Sequence, residues 1–151
     1  AFPGGPRCMP ASVSPSPALP ITILLVEDDD VDVMNVRRLL RRSNASHPLL
    51  VARDGVEALA LLGDAVPDRL VILLDLNMPR MSGLELLRTL KERAAGRAVP
   101  AVVLTTSGDE RDRAEAERLD VAAYLVKPLT AEALMDILRL AERHWAAPNP
   151  P

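Results

Sequence analysis

The chain has 151 residues, of which 48% are hydrophobic but only 2% aromatic, so it fits one domain whose core is aliphatic, as when helices pack on a sheet. Its formal net charge is −3, with 18 basic and 21 acidic residues and no long run of like charge, which argues against direct nucleic-acid binding. A single cysteine, Cys8, excludes a disulfide framework and a cysteine metal site. No apolar stretch reaches the roughly 20 residues that span a membrane and no signal peptide is evident, so we expect a cytoplasmic protein without membrane contact.

Residues 1–20 contain six prolines and are predicted to form a flexible leader, followed by a folded domain over residues 21–145 and a tail over residues 146–151. Within the domain, five short apolar runs alternate with five stretches of helical periodicity. Strands are predicted at 21–26, 49–52, 71–74, 101–104 and 121–126, with helices at 31–42, 56–62, 83–96, 109–119 and 131–145. This alternation predicts right-handed βαβ units and hence a parallel sheet with helices on both faces.

Local signals predict where several helices begin and end. The first helix is expected to have Asp30 as its N-cap, and Gly63 is expected to close the second. Ser82 is the predicted cap of the third helix, which ends near Gly96, and Thr130 is the predicted cap of the fifth.

The buried faces of two helices are also predicted from spacing. In the second helix, Val56, Leu59 and Ala60 are expected to face the core. The fourth helix has a thin apolar face made mainly by Ala116 and Leu119, so we expect it to be the most exposed helix and a mobile one.

Chemically active side chains follow the predicted strands at their carboxyl ends. Glu27 and Asp28 follow the first strand, Asp75 the third, Thr105 the fourth and Lys127 the fifth. In open parallel sheets this edge is where ligands bind, so these residues are expected to converge. Three carboxylates at one point repel each other unless a cation is present, and oxygen ligands without histidine or cysteine favour Mg²⁺.

The converging groups suit phosphoryl chemistry. A carboxylate oxygen of Asp75 is a nucleophile that can form an acyl phosphate, while Lys127 and Thr105 could pair with phosphoryl oxygens. Taken singly, each has an ordinary explanation: Asp75 could cap a helix, Thr105 could be a β-branched strand residue and Lys127 a solvated strand end. Three strands ending in compatible chemistry favour the functional interpretation.

Other polar and aromatic residues are interpreted as structural. Asp29 and Asp30 are expected to be cap and solvent residues rather than ligands, and His47 a structural residue of a loop. Trp145 is expected to pack on the domain, with an interface role as the alternative.

The chain resembles the receiver domain of two-component response regulators, a family that signals by phosphorylation. The resemblance rests on four motifs in order: VED at 26–28, LLDLNMPRMSG around Asp75, VVLTTS around Thr105, and AYLVKP ending at Lys127-Pro128. It covers about residues 21–145 and implies a flavodoxin-like (βα)5 fold with strand order 2-1-3-4-5.

The resemblance also implies a role for each matching residue. Asp75 would be the phosphoacceptor, with Lys127 and Thr105 assisting transfer, and Thr105 with Tyr124 would form the switch pair. The Lys127-Pro128 peptide bond would be cis. The implied ligands of Mg²⁺ are Asp28 and Asp75 directly, Glu27 through water, and the backbone carbonyl of Asn77. Glu27 stands where many members have Asp, and its longer side chain should still reach a metal-bound water.

The function implied is that of a phosphoacceptor signalling protein rather than an enzyme, apart from its own phosphorylation and dephosphorylation. A sensor histidine kinase would donate the phosphoryl group, and the short motifs are similar to those of single-domain regulators paired with phytochrome-type kinases. The output would be a changed binding surface for a downstream protein, for a second copy of the chain, or for a histidine phosphotransfer protein in a relay.

Two other functions are weighed against this one. Phosphohydrolases that use an aspartyl-phosphate typically need a second Asp two residues after the nucleophile, where this chain has Asn77. A receiver-fold scaffold that is never phosphorylated would be expected to lack a site residue, and none is missing.

Overall fold

The computed structural model describes residues 20–43, 46–63, 65–75, 83–94, 99–106, 110–118 and 121–146, without the side chains at 112, 115 and 146. The predicted alternation of strands and helices is confirmed within these ranges. The elements are β1 (Thr22–Val26), α1 (Asp30–Arg42), β2 (Leu49–Ala52), α2 (Gly55–Leu62), β3 (Leu70–Leu74), α3 (Gly83–Arg93), β4 (Ala101–Thr105), α4 (Glu110–Arg118), β5 (Ala123–Val126) and α5 (Ala131–Ala146).

The five strands form one parallel sheet in the order β2-β1-β3-β4-β5, as the resemblance implied. All residues of β3 and β4 are buried, whereas β2 and β5 at the two edges are mostly half-buried. Strands that are covered on both faces carry continuous apolar runs, which is why β3 reads LVILL. No residue of β3 is more than 1% exposed, against up to 4% in β4, so β3 gives the most protected support to Asp75, which follows it.

Alternate residues of each strand feed two separate cores. On one face α2, α3 and α4 cover Leu24, Ile72 and Val103; on the other, α1 and α5 cover Leu25, Leu73 and Val102. The helical spacing of Leu134, Ile137, Leu138 and Ala141 predicts one apolar face for α5, and all four side chains are buried. On α4 Ala116 is buried, whereas the other described side chains of this helix are exposed, as its thin apolar face predicts.

The prediction for α2 is wrong about its first residue and about two of its three core positions, whereas Leu59 is half-buried and packs against the core as expected. Asp54 is the N-cap and Gly55 the first helical residue, and the buried positions are Gly55, Ala58 and Leu62. Val56 is 42% exposed and Ala60 is exposed as well. The helical spacing of the large side chains predicts the wrong face for α2, because the positions that contact the sheet are occupied mainly by small residues.

The N-cap of α1 is likewise one residue earlier than predicted. The Asp29 carboxylate accepts hydrogen bonds from the backbone N–H groups of Val31 and Asp32, so Asp30 is already helical. The closing role of Gly63 is confirmed, with a φ of 59° that suits glycine, and Thr130 Oγ1 accepts the Ala133 N–H at the start of α5.

The remaining differences concern ends of elements. β5 begins at Ala123, two residues after the predicted start. In α3, helical spacing predicts a core face of Leu84, Leu87 and Leu90. Leu87 and Leu90 are buried, but Leu84 is only half-buried and Leu86 is fully buried. The predictions for Ser82, Gly96 and Leu119 lie outside the described residues.

In the described ranges, none of the helices combines the length and the apolar character that crossing a bilayer requires.

Candidate functional site

Backbone hydrogen bonds continue the sheet one residue beyond three strands and so fix the residues that follow them. The N–H of Glu27 donates to the carbonyl of Ala52 at 2.8 Å, and the N–H of Asp75 donates to the carbonyl of Val26 at 3.1 Å. On the other side, the N–H of Lys127 donates to the carbonyl of Thr105 at 2.8 Å. The main chain at these strand ends is therefore as firmly held as the sheet itself.

Three carboxylates meet at this edge. Glu27, Asp28 and Asp75 each offer an oxygen, and these oxygens all lie within 4.8 Å of one another. Glu27 is buried, with its side chain 2% exposed, while Asp75 is 15% exposed and Asp28 is exposed. Oxygen ligands that combine burial on one side with access to water on the other fit a hard divalent cation that keeps some of its waters, such as Mg²⁺.

Lys127 reaches into the same cluster from β5. Its Nζ lies 2.6 Å from Glu27 Oε1, 2.8 Å from Asp32 Oδ2 and 3.3 Å from Asp75 Oδ2. The peptide bond between Lys127 and Pro128 is cis, as the resemblance implied. Within the cluster, this ammonium neutralises part of the charge of the carboxylates.

The ionisation of this cluster follows from burial and pairing. Burial raises the pKa of Glu27, although the Lys127 hydrogen bond and the Asp29 N–H oppose the rise. Burial alone would lower the pKa of Lys127, but its hydrogen bonds to Asp32 and Glu27 outweigh burial and raise it above the ordinary value. Lys127 is therefore charged throughout the neutral range.

Asp32 was not identified from the sequence. It lies in the first turn of α1, and its side chain is 29% exposed where it meets Lys127. The available signal was its position: a helix that starts directly after the β1 strand end places its first turn over the same sheet edge.

The loop between β1 and α1 is held from both sides. Glu27 Oε2 accepts the N–H of Asp29 at 3.2 Å, and Asp29 in turn caps α1. From β2, Arg53 Nη1 donates to the carbonyl of Asp28 at 3.2 Å while Nη2 pairs with the Asp30 carboxylate. Asp29 therefore caps α1, the role that the sequence predicts for Asp30, and Asp30 forms a surface ion pair with Arg53.

The two residues of the implied switch pair lie on neighbouring strands. Thr105 is 2% exposed and pairs in register with Val126, while Tyr124 is half-buried and pairs with Val103. Since side chains alternate along a strand, Thr105 and Tyr124 occupy the same face of the sheet. The Arg113 guanidinium of α4 lies 5.6 Å from the centre of the Tyr124 ring. Asn77, the fourth implied metal ligand, lies outside the described residues.

Two residues interpreted as structural do have structural contacts. His47 Nδ1 accepts the backbone N–H of Ile21 at 3.0 Å, which ties the loop before β2 to the start of β1. Trp145 packs against the core, and the Arg69 guanidinium lies 4.7 Å from its ring centre while Nη2 pairs with Glu142 at 2.9 Å.

A comparison with protein families supports the motifs and the fold. The sequence profile of the response regulator receiver domain matches residues 23–139. The chain belongs to this family. The response regulator Rcp1 of Synechocystis is 37% identical over 131 residues, which are 83% of this chain and 89% of Rcp1.

Two solved structures resemble this fold closely. The Mn²⁺-bound form of Rcp1 has a TM-score of 0.66 at 35% identity, over 87% of this chain and all of that one. The phosphorylated cyanobacterial phytochrome response regulator RcpA has a TM-score of 0.67 at 33% identity, over 85% of this chain and 96% of that one. The receiver fold and the likeness to phytochrome-linked regulators, both expected from the motifs, are thus confirmed.

Proposed function

We propose that this receiver domain accepts a phosphoryl group from a sensor histidine kinase on Asp75, in a reaction that depends on Mg²⁺, and signals through a changed protein-binding surface. One observation carries the proposal. Asp75 leaves the most protected strand of the sheet, shares a cluster of three carboxylates, and has the Lys127 ammonium 3.3 Å from its Oδ2. A nucleophilic carboxylate beside a fixed cation suits acyl phosphate formation.

In the proposed reaction a carboxylate oxygen of Asp75 attacks the phosphorus of a phosphohistidine. The new P–O bond forms as the P–N bond breaks, and the electron pair of the broken bond leaves with the imidazole nitrogen, which takes up a proton. Lys127 pairs with one phosphoryl oxygen, and the Thr105 hydroxyl donates to another. Asp28, Asp75, Glu27 and Asn77 would hold Mg²⁺, which when bound would supply positive charge against the transferred group.

The proposed output begins with the new charge. A phosphoryl group adds roughly 1.5 to 2 negative charges at Asp75. Thr105 then moves towards it, Tyr124 turns into the space that Thr105 leaves, and the surface formed by α4, β5 and α5 changes. This surface includes Val126, a hydrophobic side chain that is 60% exposed, which suits contact with a partner.

The proposed partners follow from the relatives. The likeness to RcpA supports a phytochrome-type kinase as the phosphoryl donor, and the match over most of Rcp1 supports a single-domain regulator. We further propose that it acts in the cytoplasm. The downstream partner is a protein, which includes a second copy of the chain, or a histidine phosphotransfer protein. The proposed domain limits stay at 21–145, between a leader and a tail.

The direct test of the chemistry is incubation with acetyl phosphate and Mg²⁺, followed by the intact mass and by size-exclusion chromatography. We expect a gain of one phosphoryl group that EDTA abolishes. The gain should be absent in Asp75→Asn and retained in Asp68→Asn, which removes the same charge from the opposite end of β3. A shift in elution that accompanies the gain would identify self-association as the output.

A gain that persists in Asp75→Asn would overturn the assignment of the acceptor. If no gain occurs with acetyl phosphate or with a phosphorylated phytochrome-type kinase, the chain is a scaffold with a receiver fold. Transfer onward to a histidine phosphotransfer protein would identify it as a relay component.

A further inference from the structure

A fourth carboxylate, that of Asp32, shares the site but stands outside the group that could hold a cation. The group of oxygens within 4.8 Å of one another comprises Glu27, Asp28 and Asp75. Asp32 instead contacts Lys127, with Oδ2 2.8 Å from Nζ. This contact is shorter than the 3.3 Å that separates Nζ from Asp75 Oδ2.

Lys127 and a divalent cation share two carboxylates, those of Glu27 and Asp75. An ammonium has three donors, and Lys127 directs them at Glu27, Asp32 and Asp75. Two of these three carboxylates belong to the cation group. A cation that binds there competes with Lys127 for Glu27 and Asp75, whereas the contact of Lys127 with Asp32 lies outside the cation group.

Asp32 is held in place by the start of its own helix. The Asp29 carboxylate accepts the backbone N–H of Asp32, and Asp32 lies in the first turn of α1, where the helix dipole favours a negative side chain. Its side chain is 29% exposed, against 2% for Glu27, and is therefore better hydrated. It offers the lysine a stable partner at the rim of the site.

We propose that Asp32 is a positioning residue that holds the Lys127 ammonium at the rim of the site while Glu27 and Asp75 bind a divalent cation. The proposal rests on the proposed function, because it assigns Asp32 a part in preparing the site for phosphoryl transfer. Without Asp32, Lys127 pairs only with Glu27 and Asp75 and competes more strongly with the cation.

The test is a double-mutant cycle read out as cation affinity. Mn²⁺ binding is measured by electron paramagnetic resonance, and Mg²⁺ by its displacement of Mn²⁺, for Asp32→Asn, Lys127→Met and the double variant. A neutral amide holds the Lys127 ammonium less strongly than a carboxylate does, so Asp32→Asn should weaken cation binding by about threefold to tenfold more than the lost charge alone does. In the Lys127→Met background this additional loss should vanish, so that the same change has a smaller effect.

Asp30→Asn is the matched control, since it removes the same charge from the same helical turn, where Asp30 pairs with Arg53 rather than with Lys127. Its effect on affinity should be the same with and without Lys127. Thermal melting without divalent cations checks that each variant folds. If Asp32→Asn fails to fold, ¹⁵N NMR of the lysine ammonium in the unaltered protein tests the proposal instead. At saturating Mg²⁺ the Lys127 ammonium should still be hydrogen-bonded and its protons should exchange slowly with water.

Three results separate the possible outcomes. Equal effects of Asp32→Asn in both backgrounds, or a Lys127 ammonium that exchanges freely at saturating Mg²⁺, would overturn the role of Asp32 and leave the proposed function standing. A chain that binds neither Mn²⁺ nor Mg²⁺ would overturn both. A Lys127-dependent loss with no phosphorylation of Asp75 would support Asp32 as positioning residue and contradict the proposed function alone.

Discussion

His47 shows how one side chain can make stability depend on pH away from the functional site. Its Nδ1 accepts the N–H of Ile21, so a proton on Nδ1 would place two N–H donors opposite each other and break this hydrogen bond. Burial lowers the pKa of His47, and the nearby Arg69 acts in the same direction while Glu142 opposes it. The folded protein therefore takes up a proton at His47 less readily than the unfolded chain does.

This difference fixes the sign of the pH dependence. A pKa that is lower in the folded protein means that the unfolded chain binds more protons, so stability rises with pH. The contribution of His47 is complete above its ordinary pKa of about 6.5 and is lost as the pH falls below it. We expect the urea midpoint to drop between about pH 7.5 and about pH 5.5.

The control for His47 is His47→Asn, whose side-chain oxygen can still accept the Ile21 N–H but does not titrate. This variant should show a smaller drop over the same range, because only the other groups then titrate. Identical drops in the two proteins would show that His47 does not contribute.

At the scale of the elements, the helix caps differ in how deeply they are buried. The Asp54 carboxylate is 3% exposed and accepts the N–H of Glu57 at 2.8 Å, whereas Thr130 is exposed and accepts the N–H of Ala133 at 3.1 Å. Removing a cap leaves a backbone N–H without its acceptor. The loss of stability is larger at a buried position, because water cannot take the place of the cap oxygen there.

We expect Asp54→Ala to lower the free energy of unfolding by about 2 kcal/mol and Thr130→Ala by about 0.5–1 kcal/mol, measured by urea denaturation. Asp54→Ser, which keeps a cap oxygen, should recover much of the loss. Equal losses for Asp54→Ala and Thr130→Ala would contradict the role assigned to burial.

The elements were predictable where large apolar side chains mark the buried positions. The existence and order of the five strands and the apolar face of α5 are predicted correctly, because β-branched and leucine-rich runs mark contact with the sheet, although β5 starts two residues later than predicted. The cap Thr130 is also predicted correctly. The face of α2 was not, since the contacting positions hold Gly55 and Ala58, whose small size carries no periodic signal. The cap of α1 was ambiguous because Asp29 and Asp30 can both accept the hydrogen bonds of a first turn.

At the scale of the whole molecule, the sheet order follows from the resemblance and the convergence of the site follows from parallel topology. Glu27, Asp28, Asp75 and Lys127 could be placed together from the sequence because strand carboxyl ends share an edge. The contact of Asp32 with Lys127 could not, because it depends on how the first turn of α1 rotates over that edge. Periodicity gives the buried face of a helix but not which exposed side chain meets a distant lysine.

Chemical trapping of an acyl phosphate at Asp75 tests the central claim most directly. The protein is phosphorylated by a phytochrome-type histidine kinase with Mg²⁺ and treated with borohydride, which reduces an aspartyl-phosphate to homoserine, and its peptides are analysed by mass spectrometry. We predict homoserine at position 75, dependent on both the kinase and Mg²⁺. Homoserine at position 28 or at another aspartate, with residue 75 unchanged, would contradict the assignment of Asp75 as the phosphoacceptor.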